Sequence, residues 1–336
     1  GARAMCALIG HWYRRPSRLH AVRSGYLDGF HGVLKRGCPK SSGCRVGRGL
    51  RAAVLAVAWC LAPSPAAAVE HLDDLGRKVT LDAPAQRIVS LAPHITELLY
   101  AVGAGERIVA AVEYSDYPDA ARRLPRVGNS SRIDLERLVM LQPDLVIAWG
   151  SGTPARELEG VQRLGYPLYL SEPRRLDALG GQMRAFGRLA GTEPAANAAA
   201  ADYERRLDAL LTRYADPPRQ RVFYQLALQP LLTINRTHII NDLIDRCGGE
   251  NVFAQASQLT PHVSVEAVVG AAPAVVVFAL YPGESTAVTE AFWRRFGLAA
   301  TTRFLAVPGD IIHRPTPRIL DGLVQVCEGL AAAHSE

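Results

Sequence analysis

Residues 192–215, TEPAANAAAADYERRLDALLTRYA, are the stretch that decides the fold. They read as one long, isolated helix with an α/β half on either side. Thr192 is placed to act as N-cap, and Pro194 falls in the first turn, where a missing N–H costs nothing. The alanine-rich body has high helix propensity, and Tyr203, Leu207, Leu210, Leu211 and Tyr214 recur at helical spacing as one apolar stripe. Asp216-Pro217-Pro218 then stops the helix before a β-rich run begins. At about 1.5 Å per residue such a helix spans roughly 30 Å, the width of a small domain, so it predicts a stiff strut between two lobes.

Outward from the strut, both sides alternate strand and helix. On the N-terminal side, residues 73–81 read as a small hairpin. Strands are expected at 87–91, 108–112, 145–149 and 168–171, and helices at 96–102, 134–141, 154–164 and 176–190. On the C-terminal side, strands are expected at 221–227, 274–280 and 304–307, and helices at 237–247, 265–271, 286–296 and from 316 to about 333. Apolar, β-branched strands separated by helices imply βαβ units and parallel sheets buried on both faces. The expected fold class is therefore α/β, with two Rossmann-like lobes of parallel sheet joined by a single long helix. The lobes are expected at 69–191 and 216–336, alike in element order without a sequence repeat.

The first 68 residues differ in composition. They hold 11 Lys/Arg against one acid, Asp28, whereas the whole chain has 38 basic and 32 acidic residues. Residues 69–336 thus keep 27 against 31, a net charge of −4, and the basicity belongs to the leader. This argues against a nucleic-acid partner for the folded part. Residues 45–51 form a positive segment, 52–62 a short apolar one, and Ala66-Ala67-Ala68 an A-x-A-like cleavage site, so residues 45–68 read as a secretory signal peptide. A lipoprotein reading through Cys60 ranks second, because Trp59 is too large for the position before a lipidated cysteine. Residues 1–44 read as an upstream extension without a fold of its own. Removing the leader leaves two cysteines, Cys247 and Cys327. One disulfide is the simplest expectation for an exported chain. A reactive thiol or a metal pair is the alternative, and neither cysteine has a His or second Cys at ligand spacing.

Candidate chemistry lies at turns between strands and helices, where open α/β sheets hold ligands. Pro93-His94 follows the first strand, Tyr114-Ser115-Asp116-Tyr117-Pro118 the second, and Trp149 ends the third. In the second half the corresponding places are Leu226 with Gln229-Pro230, Pro261-His262, and the run from Asp310 to Arg314. Aromatic faces with a few polar groups suit a bulky, flat, partly apolar ligand. Each also has a plain structural reading: Trp149 as core, a lone His94 or His313 as a hydrogen-bonded loop residue, Asp310 and Arg314 as a pair. Gly150-Ser151-Gly152-Thr153-Pro154-Ala155, with Glu172 about 20 residues on, matches a dinucleotide fingerprint on paper. It lies off the first strand of its half and lacks catalytic partners, so a Gly-rich turn is the preferred reading. Nucleophile-elbow, zinc, P-loop and EF-hand spacings do not occur.

Arg87-Ile-Val-Ser-Leu-Ala-Pro-His-Ile-Thr-Glu-Leu-Leu, Tyr114-Ser-Asp-Tyr-Pro, Asp134-Leu-Glu-Arg-Leu, Pro143-Asp-Leu-Val-Ile-Ala-Trp and Cys247-Gly-Gly-Glu-Asn-Val-Phe together resemble the helical-backbone (class III) periplasmic substrate-binding proteins. Within that group the likeness points to the cobalamin binders of vitamin B12 importers, through Tyr-Ser-Asp-Tyr-Pro, Ile-Ala-Trp and Pro317-Arg318-Ile319. The resemblance covers residues 73–334. It implies a carrier, not an enzyme, with no cofactor of its own. Cobalamin or a related corrinoid would be held between the lobes of a free monomer and delivered to an ABC permease dimer with its ATPase subunits. Tyr114, Trp149, Asp310 and Arg314 would face the ligand, with Pro93 and His94 beside them. Ser130, Leu226 and Thr260 stand where the resemblance leads one to expect aromatic rings, and His94 where it leads one to expect a small residue. Glu136 and Glu266 match the carboxylates that dock on permease arginines, and Cys247 and Cys327 match a disulfide position. Haem or an iron-siderophore is the alternative ligand, with His94 as the one axial candidate. An exported NAD(P)-dependent oxidoreductase is the alternative from another class. A helical strut is expected to permit only a small opening of the cleft.

Overall fold

The computed structural model describes residues 68–332. The expectations for residues 1–44, for the signal peptide and for Cys60 lie outside the described residues. An antiparallel hairpin, β1 (Val69–Leu72) and β2 (Lys78–Leu81), precedes the first lobe. That lobe holds β3 (Ile88–Ser90), β4 (Ile108–Ala111), β5 (Leu145–Trp149) and β6 (Leu168–Ser171). Its helices are α1 (Pro93–Ala101), α2 (Leu135–Leu141), α3 (Ala155–Arg163) and α4 (Ala178–Ala190). The strut is α5 (Glu193–Arg213). The second lobe holds β7 (Gln220–Gln225), β8 (Gly249–Asn251), β9 (Val275–Leu280) and β10 (Arg303–Pro308). Its helices are α6 (Ile239–Arg246), α7 (Val265–Gly270), α8 (Thr286–Arg295), α9 (Gly309–Ile312) and α10 (Ile319–Ala331).

Both four-stranded sheets are wholly parallel, in orders β4-β3-β5-β6 and β8-β7-β9-β10. In chain order each reads second-first-third-fourth, so the likeness of the two halves extends to sheet topology. Central strands such as β5 and β9 are apolar runs because helices cover both faces. The chemistry of the turns then decides where each helix starts. Asp134 caps α2 by accepting from Arg137 N at 2.9 Å, and Ser264 caps α7 by accepting from Ala267 N at 3.1 Å.

Three expectations need correction. The strut is not isolated: its Ala196, Ala200, Tyr203 and Leu207 are buried, and a Cβ on Gly187 of α4 would lie 2.1 Å from the Ala196 Cβ. Small residues on both helices let α4 and α5 approach closely, so the packed face begins in the alanines that the stripe of large side chains left out. Thr192 occupies the N-cap position, but its Oγ1 is buried without a hydrogen-bond partner and caps nothing. Two short elements were missed, β8 and α9. Neither carries a periodic signal, since the Gly-Glu-Asn of β8 pairs with β7 through backbone alone.

The disulfide joins Cys247, at the end of α6, to Cys327 in α10, with S–S 2.01 Å across 80 residues of sequence. It ties together two helices on one face of the second sheet.

Candidate functional site

In each lobe the first strand has the second on one side and the third on the other. The loops leaving the first and third strands therefore diverge and open a crevice at the carboxyl ends of the sheet. The two crevices contribute to one cavity of about 580 Å³, within the usual range for small-molecule sites. Its walls come from the ends of β5 and β6 in the first lobe and from the loops after β7, β8, β9 and β10 in the second.

Trp149 forms the wall on the first lobe. Its ring lies on the following turn so closely that a Cβ on Gly152 would sit 2.0 Å from Trp149 Cε3. Glu172 closes the same turn, accepting from Ser151 N at 2.7 Å and Ser151 Oγ at 3.0 Å. The second glycine of the dinucleotide-like motif thus makes room for an indole, the first lies against Glu172, and that acid serves the turn itself. His94 stands edge-on to Trp149 with ring centroids 5.3 Å apart. It is 2% exposed, its Nε2 has no partner, and burial reinforced by the nearby Arg314 lowers its pKa to about 3.

The second lobe supplies the floor. His313 Nε2 lies 2.9 Å from Tyr224 Oη and its Nδ1 lies 2.8 Å from Tyr281 Oη. Burial lowers the His313 pKa to about 4. His238 caps α6, its Nδ1 accepting from Ile240 N at 3.1 Å, and burial with neighbouring His313 and Arg174 lowers its pKa to about 4. Both rings are therefore neutral at pH 7 and present lone pairs or single N–H groups. Among the described residues there is no group of three or more His, Cys, Asp or Glu side chains arranged to hold a metal ion.

Of the residues singled out from the sequence, Trp149, Leu226, Thr260 and His313 line the cavity, as do Ser151, Gly152 and Glu172 of the dinucleotide-like motif. His94 lies behind Trp149. Pro93 opens α1 beside it, and Ser130 is exposed on the turn closed by the bridge from Gly128 to Ile133, away from the cavity lining. Tyr114 is 76% exposed at φ +63°, an uncommon conformation for a tyrosine. Its carbonyl accepts from Arg314 Nη2 at 3.2 Å. Arg314 pairs with Asp310 at 2.8 Å, as the plain reading of that loop had it, and also crosses to Asp116 of the first lobe at 2.7 Å. It clasps the lobes beside the cavity instead of lining it. Sequence reasoning missed Glu172, Arg174, His238 and Tyr281 as lining residues. It placed His94 as the one axial candidate, whereas His238, His313 and Tyr281 reach the cavity directly. The run from Asp310 to Arg314 was the available signal for His313; no local pattern marks Tyr281.

Beside the cavity, and sharing Arg174 and Thr237 with it, runs a groove of about 740 Å³ along α6 and β8 lined by Arg174, Arg175, Arg219, Arg221 and Arg236. Farther out, Glu136 and Glu266 are both exposed in the first turns of α2 and α7. These helices are topological equivalents, each leading into the third strand of its lobe. Backbone and Ser264 hydrogen bonds hold the Glu266 carboxyl below its ordinary pKa.

Residues 88–301 match the family model described as periplasmic binding protein. The vitamin B12-binding protein of Vibrio cholerae serotype O1 is 37% identical over 253 residues, which cover 75% of this chain and 92% of that one. Its Yersinia pseudotuberculosis counterpart is 35% identical over 273 residues, covering 81% and 95%. Among solved structures, the periplasmic vitamin B12 binding protein BtuF of Vibrio cholerae superposes with TM-score 0.68 at 37% identity, covering 75% of this chain and 99% of that one. The periplasmic heme-binding protein RhuT of Roseiflexus sp. RS-1 superposes with TM-score 0.62 at 26% identity, covering 74% and 99%. Two parallel sheets of matching topology, a helical strut and a cavity at their facing carboxyl ends agree with these likenesses: the chain belongs to the periplasmic binding protein family.

Proposed function

We propose that this protein is an exported carrier that captures cobalamin or a related corrinoid between its lobes and delivers it to an ABC transporter. The observation that carries the reading is the cavity itself, walled by an indole on one lobe and by neutral imidazole and phenol groups on the other. Such a wall suits a flat macrocycle with polar substituents, and the relatives spanning nearly their whole length bear vitamin B12-binding names. A corrinoid with its nucleotide tail exceeds the enclosed volume, so its periphery would lie at the open rim. Tyr114 is exposed beside that rim, whereas Arg314 and Asp310 would act by fixing the lobes. Pro93, His94 and Ser130 would have no direct contact unless the ligand displaces Trp149 or widens the cleft. Glu136 and Glu266, one at the same helical position of each lobe, would dock on a two-subunit permease, their charge setting register and association rate. Release to the periplasm would follow cleavage after Ala68, and the free protein would be a monomer.

Calorimetric titration of cyanocobalamin into residues 69–336 tests the reading. Tight one-to-one binding is expected, and absence of heat at micromolar protein would remove the corrinoid. Haem is the second reading, favoured by Tyr281 and His313 at the cavity. Added hemin would then give a Soret shift lost in Tyr281→Phe or His313→Ala.

A further inference from the structure

The hydrogen bonds of the cavity floor have a direction that the positions of the heavy atoms determine. Tyr224 is fully buried, and the one partner of its Oη among the described residues is His313 Nε2. Tyr281 Oη faces His313 Nδ1, and Tyr281 is 41% exposed and lines the cavity. A neutral imidazole has one N–H and one lone pair, so two arrangements exist. If Nε2 carries the proton, it donates to Tyr224, and the Tyr224 hydroxyl proton is left buried with no acceptor. If Nδ1 carries it, Tyr224 donates to Nε2 and Nδ1–H donates to Tyr281 Oη. The Tyr224 hydroxyl and both ring nitrogens of His313 are then satisfied. Leaving a buried hydroxyl unpaired is costly enough to favour the second arrangement by roughly ten- to a hundredfold.

In that arrangement the Tyr281 oxygen already accepts from His313, and its own O–H is turned toward the cavity. The phenol is held from a second side as well. A Cβ on Gly309 would lie 2.4 Å from Tyr281 Cε1 and Cζ, so the ring rests on the glycine at the start of α9. Glu284 fixes the backbone by accepting from Tyr281 N at 2.9 Å.

We propose that Tyr281 is a specificity-determining hydrogen-bond donor to the ligand, with Tyr224 acting through His313 as the positioning residue that fixes the direction of donation. The ligand atom opposite Tyr281 must then be an acceptor. On the corrinoid reading, on which this part rests, it is the carbonyl oxygen of a peripheral amide.

The experiment has two arms. In the unliganded protein, long-range ¹H–¹⁵N spectra assign the His313 tautomer. Protonated Nδ1 and bare Nε2 are expected, and protonated Nε2 overturns the relay whatever ligand the cavity takes. In the second arm, cyanocobalamin is titrated into wild type, Tyr281→Phe, Tyr224→Phe and the double variant, each checked for an unchanged circular dichroism spectrum. Tyr281→Phe is expected to weaken binding about tenfold and Tyr224→Phe severalfold, with no further loss in the double variant. Unchanged affinity in Tyr281→Phe, or additive losses, overturns the donor role. If wild type binds no cyanocobalamin, the corrinoid reading and its amide partner fall together, while the tautomer still decides the relay.

Discussion

Glu97 of the first lobe and Arg318 of the second form a bidentate ion pair, with Nε and Nη2 each 2.6 Å from a carboxylate oxygen. Glu97 is 2% exposed, also accepts from Thr316 Oγ1 at 2.7 Å, and lies 4.0 Å from Arg314. The Tyr117 ring covers the Arg318 guanidinium at 3.9 Å. All the cationic partners of this carboxylate come from the other lobe, so it holds the cleft in the form seen here.

Removing that charge leaves the part-buried Arg318 guanidinium without its carboxylate, while Arg314 keeps Asp116 and Asp310. Glu97→Gln is expected to cost about 2–4 kcal/mol, less than a fully buried pair at its extreme because Arg318 keeps some contact with water. Denaturant unfolding measures the loss, and small-angle scattering should show a larger radius of gyration as the lobes part. An unchanged radius would assign the closed form to the strut alone.

Tyr114, held at φ +63°, carries backbone strain that glycine does not. Tyr114→Gly is expected to leave stability unchanged or raise it by up to about 1 kcal/mol while weakening cyanocobalamin binding. Paired denaturation and titration separate the two effects. A loss of stability without a loss of affinity would make Tyr114 a structural residue.

Gly152 sets the position of Trp149. A methyl group there would meet the indole at 2.0 Å, so Gly152→Ala must displace the ring from the cavity wall. Weaker binding and an altered tryptophan emission maximum are expected, with the fold intact by circular dichroism.

His94, His238 and His313 have pKa values lowered by burial to about 3, 4 and 4, against 6.5 in the unfolded chain. Above pH 6.5 their neutral forms contribute full stability. As pH falls toward 4 the unfolded chain takes up protons that the folded chain refuses, so stability decreases, by up to about 1.4 kcal/mol per pH unit for each group. Melting temperatures between pH 7 and 4.5 should drop accordingly. His313→Gln should flatten the profile.

The Cys247 to Cys327 bond closes a loop of 80 residues. Replacing both cysteines by serine is expected to cost as much as about 4 kcal/mol in the chain-entropy description. Midpoints in urea for the double variant and wild type give the value, and a difference near zero would show that the crosslink adds no constraint to the unfolded chain.

The sequence by itself determined the strut, most of the strands and the parallel βαβ order. These rest on local signals: propensity, apolar runs that need burial on both faces, and Pro or Gly stops. It also supplied Trp149 and Leu226 at the cavity, since residues closing parallel strands face the crevice, and the resemblance supplied Thr260. Only the tertiary structure decided what the other candidates do. Arg314 bridges the lobes because Asp116, nearly 200 positions away, comes within 2.7 Å of it. His94 went under Trp149, and Gly187 met Ala196. Tyr224, His313 and Tyr281 became one hydrogen-bonded chain. Such relationships depend on which lobe surfaces meet and at what distance, and no periodicity along the chain encodes that.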